Sequence, residues 1–170
     1  MIRQSRAFLA GALALLFAFA SSQALAQAES FVDDASAKGM AEIETARLAL
    51  EKSQAQDIKD FANRMVEDHT QANQTLAQLA SEKNLEMSDR AMLMDKAKAM
   101  ILQLRDGENF DEAYANNQVV AHEQTIELYR EYVKSGENPD LKQYAESTLP
   151  KLEEHLKMAK ELQTKYAGKN

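Results

Sequence analysis

Four segments of the chain carry apolar residues in alternating steps of three and four, and each puts an ionisable residue into that stripe near its middle. The clearest spans 110–134, where Ala115, Val119, His122, Ile126, Tyr129 and Val133 follow one another at that spacing. Such a stripe faces a single core when the segment is helical, because an α-helix turns every 3.6 residues. A leucine would pack better where His122 stands. Few other folds are open to this chain. Five glycines and two prolines are too few for repeated β-turns, and Ala, Leu, Glu, Lys and Gln, all good helix formers, dominate the composition.

A first long helix is expected at about 31–52, with Ser30 as N-cap and Asp33 in capping-box position. Its stripe reads Val32, Ala35, Gly39, Glu42, Ala46, Ala49. Gly39 gives up about 1 kcal/mol of helix propensity relative to alanine, which points to close packing at that position. Extended forward, the stripe falls on Ser53, Gln56, Asp60 and Asn63, all polar. A new one starts out of phase at Ile58, Ala62, Met65, His69, Ala72, Leu76, Leu79. One straight helix cannot turn both stripes to one core, so a turn is predicted at 53–56. Asn84 is the expected stop of this second helix.

A shorter helix is predicted at about 89–105, capped by Ser88 and carrying Met92, Met94 and Met100. Methionines have the softness of copper(I) ligands, but their commoner role is adaptable core filler. If exposed, this helix is the expected face for a protein partner. Asn109 and Glu112 form a capping box for the helix at 110–134, which Gly136 ends. Asn138-Pro139-Asp140 then starts the last long helix. Its stripe is Leu141, Ala145, Thr148, Leu152, His155, Ala159, Leu162, Tyr166, with Pro150 expected to kink it one turn before His155.

The first 26 residues have the form of a signal peptide. Arg3 and Arg6 precede an uncharged apolar run over 7–20, and Ala24-Leu25-Ala26 supplies the small-x-small cleavage pattern. The run is short for a stable membrane span. Cysteine is absent, so neither lipid attachment nor a disulfide framework is available. The expectation is an exported, periplasmic chain whose folded part, 27–170, is one domain without stable membrane insertion after cleavage. Without Arg3 and Arg6, 18 basic residues face 27 acidic ones, a formal charge of −9. That surface disfavours nucleic acid.

Glu42, His69, His122 and His155 each hold a stripe position near mid-helix. Antiparallel helices of similar length bring their midpoints to one level, so the four side chains should meet in the interior. Burying them without partners would cost several kcal/mol. Three arrangements relieve that cost. Glu42 can pair with a protonated histidine, the four can hold one divalent transition ion such as Zn, Cu, Ni or Fe, or a change of phase can return them to solvent. Asp68, Glu123 and Glu154 adjoin the histidines in sequence and are candidate acceptors for imidazole N–H groups behind such a site. In the absence of an ion, the polar core would act only to set helix register, as in a structural or interaction protein of the envelope. No nucleophile elbow, phosphate loop or dinucleotide loop is present, and no catalytic residue is assigned.

At these residues the chain resembles the bacterial domain-of-unknown-function family numbered 4142, exported ferritin-like domains often labelled predicted outer membrane protein. The resemblance covers about 31–159. It is carried by Gly39-Met40-Ala41-Glu42, by Met65-Val66-Glu67-Asp68-His69, by Phe110-Asp111-Glu112-Ala113-Tyr114, by His122, and by Leu149-Pro150-Lys151-Leu152 with His155. It implies an all-α, ferritin-like antiparallel four-helix bundle, the short helix lying in the long connection between second and third long helices. It implies no activity. Di-iron proteins of that fold use Glu-x-x-His pairs, whereas Val66 and Leu152 precede His69 and His155 by three residues. Di-iron chemistry is therefore not expected, and a single ion in a nitrogen-rich site suits the chain better. An outer-membrane barrel does not fit a chain without strand patterning.

Overall fold

The computed structural model of the chain describes residues 5–85 and 110–168. Four helices account for it: α1 (Ser5–Lys52), α2 (Gln56–Glu82), α3 (Phe110–Ser135) and α4 (Pro139–Tyr166), with no strand among the described residues. The expected short helix at 89–105, its methionines and the cap at Asn109 lie outside the described residues.

The first helix begins earlier than the sequence suggested. It runs unbroken through Ala24-Leu25-Ala26 and Ser30, so Ser30 is an interior residue rather than a cap. The reason is local: no glycine or proline interrupts residues 12–38, and alanine and leucine there favour helix. Among the residues whose burial is described, 22–27 are exposed or half-buried, Leu25 among the exposed, and Ala28 and Phe31 are buried. Gly39 is buried, and a β-carbon there would collide with the Asn73 amide, which donates to the Ser36 carbonyl at 3.1 Å. That close approach of α2 to α1 is the packing reason for the glycine.

The turn lies where the change of phase put it. Residues 53–55 leave the helix, and the Ser53 hydroxyl accepts from the Ala55 N–H at 3.1 Å. Asn84 closes α2 in the left-handed conformation at φ 53°, and the Leu85 N–H returns to the Ala80 carbonyl at 3.0 Å. After α3, Gly136 donates to Tyr132 at 2.7 Å. Asn138 Oδ1 then accepts from Asp140 and Leu141 at 3.1 and 3.2 Å, and Pro139 occupies the first turn of α4.

Every pair of neighbouring helices is antiparallel. Tight turns join α1 to α2 and α3 to α4, and these pairs pack most closely. Across the other two faces, Gln27 reaches Ser135, Lys38 reaches Gln124 and Gln118 reaches Thr45. On the α2–α4 side Asp57 meets Lys165, Asp68 meets Lys151 and Lys83 meets Asp140. It follows that α2 and α3 run in the same direction on opposite corners. The end of α2 and the start of α3 therefore lie at opposite ends of the bundle, the arrangement of ferritin-like bundles with one crossover. The core is split in two. One apolar cluster gathers Phe31, Val32, Leu76, Ile126, Tyr129 and Leu141, and the other gathers Ala46, Ile58, Phe61, Met65, Tyr114 and Leu162. Between them lies a polar layer.

Candidate metal centre in the polar layer

That layer contains Glu42, Thr45, His69, Gln118, His122, Thr125 and His155, all buried. Each histidine is placed by its own helix stripe, and the antiparallel register brings the three rings to one level. Their centroids stand 5.5 to 5.6 Å apart in all three pairings. Each ring offers one ligand nitrogen, and these nitrogens lie within 4.8 Å of one another. A four-coordinate ion with bonds of about 2.0–2.1 Å needs its nitrogens roughly 3.3 Å apart, so the rings would draw together on binding.

The hydrogen bonds set two of the tautomers. His122 Nδ1 lies 2.8 Å from the Gln118 backbone carbonyl, which can only accept, so Nδ1 carries the proton. His155 Nε2 lies 2.8 Å from Asp68 Oδ2 and donates to that carboxylate. The opposite nitrogens, His122 Nε2 and His155 Nδ1, are buried and have no partner from the protein, and the same holds for His69 Nε2. Each such orphan costs on the order of 1–3 kcal/mol when left dry. One cation would satisfy all three, with a backbone carbonyl and a carboxylate supporting two of the rings from behind.

Burial sets the protonation states. It lowers His69 well below its ordinary value, helped by repulsion from His122 and His155. His155 is lowered to about 4, burial outweighing the hydrogen bond it donates to Asp68. Both rings are thus neutral near pH 7, the form that binds metal. Burial also raises the Glu42 carboxyl, against the pull of His122 and Gln118. Asp68 is different. Burial would raise it, but Lys151 and His155 outweigh that and hold it below the usual carboxylate range.

The other predicted site residues are distributed unevenly. Glu42 is buried beside His122 and Gln118, but it is not among the residues whose ligand atoms cluster within 4.8 Å. Its Oε2 has no protein partner. Asp68 sits behind His155. Glu123 and Glu154 are instead exposed, paired with Lys160 and Arg64 at 2.8 Å. Both follow or precede their histidine by about 100° round the helix, and on α3 and α4 that direction is outward. Sequence reasoning missed Gln118, Thr45 and Tyr114, which surround Glu42. Gln118 Nε2 reaches Thr45 Oγ1 at 3.3 Å, and the Tyr114 phenol, buried without a protein partner, is raised well above its ordinary value first by burial and then by Glu42. Gln118 stands one turn before His122, a spacing that could have marked it.

Fold and site together define a class: all-helical four-helix bundles with a buried, three-histidine layer. A family profile, domain of unknown function (DUF4142), matches residues 16–162, and the chain belongs to that family. The match begins within the apolar run over 7–20 rather than at Phe31. No curated protein and no solved structure matches the chain.

Proposed function

We propose that this protein is an exported, periplasmic bundle that binds one divalent first-row transition ion through His69, His122 and His155, with Glu42 as the neighbouring carboxylate. The observation that carries this reading is the convergence of three buried imidazole nitrogens without protein partners. Neutral imidazoles suit zinc, copper(II), nickel and iron(II). Three histidines leave a further coordination position, which Glu42 or water can take. The export part rests on the signal-peptide pattern of residues 1–26 and on the exposure of Leu25 and Ala26 at the expected cleavage site. Among the described residues no helix is long and apolar enough to cross a membrane.

Calorimetry on tag-free, chelator-stripped protein at pH 7.5 tests the site. A saturable, one-to-one isotherm is expected for at least one of these ions, and His122→Ala should abolish it. Free ion at 100 times its Kd should add about 2.7 kcal/mol of stability. No binding by fully folded protein would reject the site. The His155–Asp68 contact between α2 and α4 favours a second reading, a polar layer that only fixes helix register. That reading expects no saturable ion effect, and a more stable protein once the layer is replaced by well-packed apolar residues.

A further inference from the structure

The α2–α4 and α1–α3 faces of the bundle flank the histidine layer differently. On the α2–α4 face, Asp68 covers His155 and is itself held by Lys151 at 2.8 Å, while Arg64 spans Asp68 and Glu154 at 3.5 and 2.8 Å. Ion pairs close that side. On the α1–α3 face there is a cavity of about 120 Å³ whose lining includes Lys38, Glu42, Thr45, Asn117, Ala121 and Gln124. At roughly 30 Å³ per water, it has room for a few solvent molecules. Apart from Val120, its walls are polar or small. Lys38 Nζ on α1 donates to Gln124 Oε1 on α3 at 3.4 Å, and Val120 beside it is 52% exposed.

Glu42 belongs to both compartments. It lines the cavity, it is 3% exposed, and its electrostatic neighbour on the inner side is His122. Its Oε2 has no protein partner. A carboxylate at that position can replace one water of a hydrated cation before the imidazoles replace the others, which divides a costly desolvation into two smaller steps.

We infer that the α1–α3 cleft is the route by which small hydrated cations reach the three imidazoles, with Glu42 as its inner carboxylate and the Lys38–Gln124 contact as a latch across it. The inference rests on the reading of the histidines as an ion site. It assigns a role to the cavity and explains why a buried glutamate stands beside the rings rather than among them. Lys38 adds a positive charge that opposes cation entry while the latch is closed.

Stopped-flow absorbance with cobalt(II) at pH 7.5 tests the route on the whole purified protein. Ala121→Leu and, separately, Asn117→Leu fill the cleft. Each should slow association at least tenfold and slow dissociation by a similar factor, so that Kd stays within about twofold. Lys38→Ala should speed association severalfold. Glu154→Ala, which removes the outer ion pair of the opposite face, should leave the association rate within about twofold. Unchanged rates in both filled variants, or acceleration by Glu154→Ala alone, would overturn the route while leaving the ion site standing. No saturable cobalt binding by the unsubstituted protein would remove the site itself, and the route with it.

Discussion

His155 on α4 donates its Nε2–H to Asp68 on α2 at 2.8 Å, and the opposite ring nitrogen faces the other two histidines without a partner from the protein. One half-buried carboxylate thus ties two helices together, fixes a tautomer and aims a lone pair inward. Lys151 holds that carboxylate ionised from the solvent side, with Arg64 3.5 Å away.

Asp68→Asn should therefore weaken ion binding without unfolding the bundle. An amide accepts less strongly, and it removes the negative charge that makes the ring a better ligand. Carboxylates behind metal-bound histidines are worth about 10–100-fold in affinity. Calorimetry should give a loss in that range, with the one-to-one stoichiometry kept. An affinity equal to that of the unsubstituted protein would show that Asp68 serves packing alone.

Ion-free protein should lose stability on mild acidification. His155 titrates at about 4 when folded and near 6.5 when unfolded, so between those values the unfolded chain binds more protons. Its contribution is complete above about pH 6.5 and falls by about 1.4 kcal/mol per unit as pH drops towards 4. His69, lowered by the same burial, acts in the same direction. Glu42 opposes them: its folded-state value is raised, so it favours the folded state on the acid side. Urea melts in chelator across pH 7.5 to 4.5 should show the decline, and Glu42→Gln should steepen it. A flat profile in both proteins would contradict the neutral, buried rings.

Gly39→Ala should destabilise, although alanine gains about 1 kcal/mol of helix propensity. The new methyl would meet the Asn73 amide, which is anchored on the Ser36 carbonyl. Overpacking of this kind costs about 1–3 kcal/mol, so a net loss is expected in a thermal melt. Adding Asn73→Ala should recover much of it. A more stable single variant would mean that α1 and α2 can separate at little cost.

Cleavage after Ala26 should release a chain that begins at Gln27, and intact mass of protein from the periplasmic fraction checks this directly. Leu25 beside the cut is exposed, and the buried residues from Ala28 onward stay with the released chain. Recovery only from membranes, with residue 1 retained, would refute export as a soluble chain.

Much of this architecture was legible in the chain. The stripe from Val32 to Ala49, the change of phase near Ser53, and the stops at Asn84 and Gly136 are local features. Helix periodicity, caps and glycine conformation are set within a few residues, so spacing alone reveals them. The convergence of three histidines followed too, because equal helix lengths and antiparallel order bring mid-helix positions level. Ser30 failed as a cap for an equally local reason: nothing before it breaks the helix.

What the sequence could not determine depends on distances between helices. Stripe position fixes the direction of a side chain round its own helix, not its reach across the core. Only the packed bundle decided that Glu42 stands beside Gln118 and a cavity, outside the ring cluster, and that Asp68 rather than Glu123 or Glu154 backs a histidine. It likewise decided which imidazole nitrogens are left without partners, since a tautomer is chosen by whichever acceptor the neighbouring turn or helix brings within about 3 Å. Periodicity along one helix carries none of that information, because the acceptor for His155 lies 87 residues away in the chain.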